Sequence, residues 1–141
     1  MMPLILAVVM QAAGGSGPAP LAIRSIGRGA ISRVDSPRQA VARTPEEWAA
    51  LWGLHAPDRP LPAVDFSKEM VVAIFLGSRP SAGYAVEVTA VKAINDGAIV
   101  VQFYETQPPR DRVTAQVITD PYDIVAVPSR AGNVVFEKVE R

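Results

Sequence analysis

The chain of 141 residues contains no cysteine. Disulfides, thiolate nucleophiles and cysteine-built zinc or iron–sulfur sites are therefore excluded, while the redox character of its compartment is left open. Histidine occurs once, at His55. A Ser-His-Asp arrangement has only that imidazole to draw on, and no Gly-x-Ser-x-Gly stretch supplies a nucleophile for it. Histidine-based metal sites fail for the same reason, and no alternating run of aspartates suggests a calcium loop. Net charge is missing too, because fourteen Lys plus Arg offset fourteen Asp plus Glu. The long-range pull on phosphate that drives nucleic-acid binding is thus absent, and no nucleic-acid partner is expected. No apolar run reaches the roughly 20 residues that a membrane-spanning helix needs. Gly14-Gly15-Ser16-Gly17 lacks the lysine of a phosphate-binding loop, so neither nucleotide nor other cofactor is expected.

What remains is a globular composition, 49% apolar and 20% charged, of a size usual for one domain. Thirteen prolines and ten glycines announce many connections. Residues 1–17, MMPLILAVVMQAAGGSG, carry an apolar stretch from Pro3 to Met10 followed by small residues. That outline is a secretory signal and predicts an exported protein, periplasmic or extracellular, with Gly14 to Pro20 as a flexible linker. Residues 18–141 then form the single domain. Having no cysteine, the segment offers no site for a lipid anchor.

Thr44-Pro45-Glu46-Glu47 predicts the start of a helix over residues 45–55, with Thr as cap, Glu three positions on and Pro in the first turn. Trp48, Leu51, Trp52 and His55 follow on one face, which should pack on a sheet. Ala56-Pro57 and Pro60 to Pro62 stop it. Elsewhere the pattern is strand after strand. Met70 to Leu76 is continuously apolar and reads as a central strand covered on both faces. Tyr84, Val86, Val88 and Ala90 alternate with polar partners, and Asn95-Asp96-Gly97 turns the chain into Ile99 to Glu105. Val113 to Thr119 follows a polar loop, and Tyr122 to Val127 with Val134 to Val139 predict a last hairpin whose Gly132 takes a positive φ. Ile23 to Ser32 and Gln39 to Arg43 are further strands. The expected fold is mainly β, an antiparallel sandwich or partly open barrel with one amphipathic helix packed on it.

The turn after Met70–Leu76, Ser78 to Tyr84, is the candidate site, since a short irregular loop between rigid strands is fixed in geometry yet reachable from solvent. Its candidate partner-binding residues are Arg79, Pro80, Ser81, Gly83 and Tyr84, with Arg110 and Arg112 on the neighbouring loop from Gln107. Each has a plainer role as well. Tyr84 at a strand start is commonly half-buried, Gly83 serves the backbone, and loop arginines are commonly solvated. Asp120 and Asp123 flank Pro121-Tyr122 as the nearest thing to a paired-carboxylate site, but no complete catalytic set is present and no enzyme is expected. The partner class is another protein or a peptide.

TPEEWAALW, DFSKEMVVAIFLG, a Gly-Tyr turn opening AVEV, and TDPYDIVAVP, in this order, resemble the C-terminal domain of the protease complex subunit PrcB over about residues 40 to 140. The family's Thr/Ser-Gly-Gly-Tyr turn stands here as Ser81-Ala82-Gly83-Tyr84. The resemblance implies a non-enzymatic accessory or binding domain of bacterial envelope or secreted proteins, assisting a protease complex. Pro80 to Tyr84 is also similar to one loop of chagasin-type inhibitors of papain-like cysteine peptidases, which makes inhibition the alternative function.

Overall fold

In the computed structural model, described here for residues 18–140, eight strands and one α-helix build a two-layer sandwich. Strands β1 (Ala19–Pro20), β5 (Ala85–Ala93), β6 (Ile99–Thr106) and β8 (Val134–Lys138) form one sheet in the order β1-β5-β6-β8. Strands β2 (Arg24–Gly29), β3 (Arg38–Ala42), β4 (Glu69–Phe75) and β7 (Tyr122–Pro128) form the other in the order β2-β7-β4-β3. Every pairing is antiparallel except β6 with β8. The sandwich is open, not a closed barrel, as its four outer strands show. The predicted signal segment lies outside the described residues. The end of the predicted linker does not: Ala19 and Pro20 pair with Ala93 and Lys92.

The helix α1 spans Pro45–His55 as its sequence predicts, and the cap explains why it starts there. Thr44 Oγ1 accepts the Glu47 N–H at 3.1 Å, and Glu47 Oε1 reaches back to the Arg43 N–H at 2.7 Å, one residue further than a reciprocal cap would. Trp48, Leu51, Trp52 and His55 are buried on the outer face of the second sheet, with Val71, Ala73, Phe75, Tyr122 and Ile124. The indoles satisfy their N–H groups by donating to Pro62 O and Arg59 O, at 2.9 and 3.0 Å. On its opposite face the same sheet turns Met70, Val72, Ile74, Val125 and Val127 toward Val86, Val91, Val101 and Phe103 of the first sheet. This double coverage is why β4 and β7 are buried almost without interruption while β6 alternates.

Four expectations change. Tyr122 to Val127 and Val134 to Val139 are not a hairpin: β7 inserts between β2 and β4, while β8 crosses to the other sheet and runs parallel to β6. Both faces of β7 are buried, and an edge hairpin could not cover them. Gly132 is not among the positive-φ glycines. Its need for glycine is closeness, since a Cβ there would meet Ala98 N and Gly97 C at 2.5 Å. Val113 to Thr119 is no strand, and its β-bridge among the described residues joins Thr119 to Arg79. Finally, a bulge between Val88 and Ala90 shifts the alternation of β5, so Val91 rather than Ala90 continues the buried face begun by Val86 and Val88.

Candidate functional site

The predicted turn leaves the end of β4 and is held from the side by the 113–119 segment. Arg79 N–H donates to Thr119 O at 2.7 Å, Thr119 N–H returns to Arg79 O at 3.0 Å, and Ala82 N–H donates to Ala115 O at 3.0 Å. The Thr119 hydroxyl donates to Ser81 O at 3.0 Å, and Ser78 Oγ donates to Asp120 Oδ1 at 2.6 Å. Ser81 is consequently buried, its own hydroxyl donating to Ala82 O. Pro80 and Gly83 are exposed. Gly83 has φ +100, and a Cβ there would meet Pro108 Cβ at 2.7 Å. Glycine is thus what lets the 107–112 loop close onto the turn, and the structure brings together the two loops that the sequence pointed to.

Arg79 is only partly exposed and serves the scaffold first. Its Nε and Nη2 contact Glu105 Oε2 at 3.2 and 3.1 Å, and Nη1 donates to Leu76 O at 3.0 Å. The guanidinium lies 5.9 Å from the centroid of the half-buried Tyr84 ring. Glu105, its carboxylate nearly covered, also takes Lys138 Nζ at 3.1 Å. Arg110 and Arg112 are exposed on the outer loop, whose Arg112 N–H donates to Pro109 O at 3.3 Å. Beside them stand apolar side chains that the sheets do not cover: Val113 is 100% exposed, Ile118 71% and Val117 48%. Ile31 joins this side of the molecule at 78%, its neighbour Ala30 accepting the Asp120 N–H at 2.8 Å. Sequence reading assigns 113–119 to a strand because Val113, Ala115 and Val117 alternate with Thr114 and Gln116, and so passes over these side chains.

The two aspartates flanking Pro121-Tyr122 do different things. Asp120 caps the turn through Ser78. Asp123 is 3% exposed and points between the sheets, where Oδ2 accepts the Val88 N–H at 2.7 Å beside the β5 bulge. Burial pushes its carboxyl up to about 6, against the opposing pull of the Val88 N–H and of Arg28. It lines a cleft of about 450 Å³ with Ile23, Ser25, Arg28 and Glu87, the last two ion-paired at 3.0 Å. A lone carboxylate inside an apolar strand is visible in the sequence, but its partner is a main-chain N–H of the other sheet, remote in sequence.

His55 is buried among aromatics, with the Tyr122 ring centroid at 4.2 Å and that of Trp52 at 5.0 Å. Ser32 Oγ accepts the Val34 N–H and shares a hydrogen bond of 2.8 Å with His55 Nδ1. Burial, helped by Arg59, holds this imidazole below its ordinary range and therefore neutral. It is a packed core residue without access to the turn. Among the described residues no group of three or more His, Asp or Glu side chains is arranged to hold a metal ion, and no helix is long and apolar enough to cross a membrane.

Residues 70–128 match the family model described as PrcB C-terminal. The match runs from β4 through β7 and so contains the turn, the hairpin and the 107–119 loop. No curated protein and no solved structure matches the chain.

Proposed function

Because the segment from β4 through β7 matches the PrcB C-terminal family model, we propose that this chain is a non-enzymatic accessory domain that binds another protein, acting on the exported side of a bacterial envelope. The observation that carries the reading is the apolar display of Val113, Val117 and Ile118 on a loop tied by main-chain bonds to the Ser78–Tyr84 turn. Isolated exposed apolar residues are ordinary, but three on one short segment beside Ile31, rimmed by Arg110 and Arg112, have the make-up of a docking patch. Tyr84 and Pro80 extend that patch across the turn. Arg79 and Ser81 hold it in shape rather than meeting the partner. The family match fits an accessory role, and a protease is the first class of partner to test.

The experiment is capture from native envelope and culture supernatant with the tagged full chain, comparing wild type with a Val117→Ser/Ile118→Ser double variant and with Tyr84→Ala by mass spectrometry. A protein retained by wild type and lost with the double variant at unchanged melting temperature is the expected result. Equal capture by all three chains would refute the loop as the docking surface. Papain activity is followed in parallel, and inhibition abolished by Tyr84→Ala would replace the accessory reading with that of a peptidase inhibitor.

A further inference from the structure

β3 and β8 are the outermost strands of their respective sheets, so each presents one row of main-chain groups outward. They lie along the same side of the sandwich. At one end this seam is shut, Arg43 Nη2 donating to Gly132 O at 2.6 Å just before β8 begins. At the other end it opens into a cleft of about 430 Å³, with Ile74, Leu76 and Phe103 as an apolar floor. Its charged lining is Arg38, Arg79, Lys138 and Glu105. Glu105 is the single anion among them, and it is already engaged by both Arg79 and Lys138. Arg38 is exposed and has no ion-pair partner among the described residues. A molecule without net charge therefore concentrates two uncompensated positive charges in one concave site. Low-dielectric walls on one side of such a site strengthen its attraction for anions.

We propose that this open end of the seam binds an acidic peptide segment in extended conformation. Its carboxylates would meet Arg38 and Lys138, its apolar side chains would lie over Leu76 and Phe103, and its backbone would add to the outward row of an edge strand. Charge complementarity selects the acidic character, and the paired strand edges select a peptide over a small anion. The site is additional to the loop surface and does not require that reading to hold. Arg79 is fixed in place by Glu105 and two carbonyls, so it supplies field while Arg38 and Lys138 supply the adjustable contacts.

The test is fluorescence anisotropy with a labelled Val-Glu-Leu-Glu-Val peptide titrated with the full chain, alongside the same peptide with Gln in place of Glu. Expected are saturable binding of the acidic probe that weakens with added salt, and a loss of about tenfold in the Arg38→Gln/Lys138→Gln variant, as two partly exposed ion pairs allow. The substituted positions are at the surface, so an unchanged melting curve accompanies that loss. Val117→Ser, on the separate loop surface, binds the probe like wild type. Equal affinity for the Glu and Gln probes, or wild-type affinity in the double variant, would overturn the assignment.

Discussion

Replacing Asp123 by Asn tests whether the carboxyl joining the two sheets is neutral in the folded chain at low pH and ionised at a cost above it. Burial sets its pKa at about 6, against an ordinary value of 3.8. Between those two values the folded chain keeps a proton that the unfolded chain has released, so stability falls as pH rises through the interval. At about 1.4 kcal/mol per pH unit, the interval from 3.8 to about 6 bounds the cost of ionisation at about 3 kcal/mol, and the expected effect is about 1–3 kcal/mol. Asparagine keeps an oxygen for the Val88 N–H, now at 2.7 Å from Asp123, and turns its NH₂ toward the cleft that Glu87 lines. The variant should therefore match wild type near about pH 4 and exceed it by that amount near about pH 7.5. His55 works in the opposite direction: held neutral when folded, it withdraws stability as pH falls below 6.5. It does so equally in both proteins and cancels in the difference. Urea unfolding at several pH values measures that difference directly, with equal slopes as the check that both unfold alike. A gap that is constant with pH, or that closes as pH rises, would refute an ionisation cost at this site.

Leu51→Ala empties part of the layer between α1 and the second sheet, where Leu51 is 5% exposed, and should lower the unfolding free energy by about 2–5 kcal/mol, read by the same urea titration. An effect below about 1 kcal/mol would mean that the helix contributes little to the core. Gly83→Ala forces a side chain into φ +100 and against Pro108, which should cost about 1–3 kcal/mol and detach the 107–112 loop from the turn, seen as faster amide exchange or proteolysis there while the helix and the β5–β6 hairpin stay protected.

Where local chemistry and tertiary placement agree, the fold was legible. Thr44 and Glu47 mark the helix start because the cap bonds are between near neighbours in sequence, and Asn95 to Gly97 marks the β5–β6 hairpin for the same reason: Asp96 at φ 60 and Gly97 at φ 75 are conformations those residue types favour. The last hairpin was misread because Ser129 to Asn133 has hairpin length and composition. What decided the matter is non-local, a covered slot between β2 and β4 that a strand buried on both faces can fill. The difference between the continuous burial of β7 and the alternation of β8 held that information. At the candidate site, the turn and its companion loop were found from their glycine and prolines. Arg79 was read as an exposed anchor because Glu105, its partner, is remote in sequence. Arg38 and Lys138 had no sign at all, since only strand order brings two edges together.

The crossing of the chain between layers has a kinetic consequence. Strand β7 is the middle member of its sheet, yet it follows β5 and β6, which belong to the other layer. Until that late segment is available, β2 has no neighbour and β4 keeps one side bare, so neither layer can mature from a contiguous stretch. Long-range closures of this kind fold slowly compared with local hairpins, and they give the emerging polypeptide an extended interval in a threadable state. A chain bound for export by an unfolded route would keep its competence for translocation through the order of its strands.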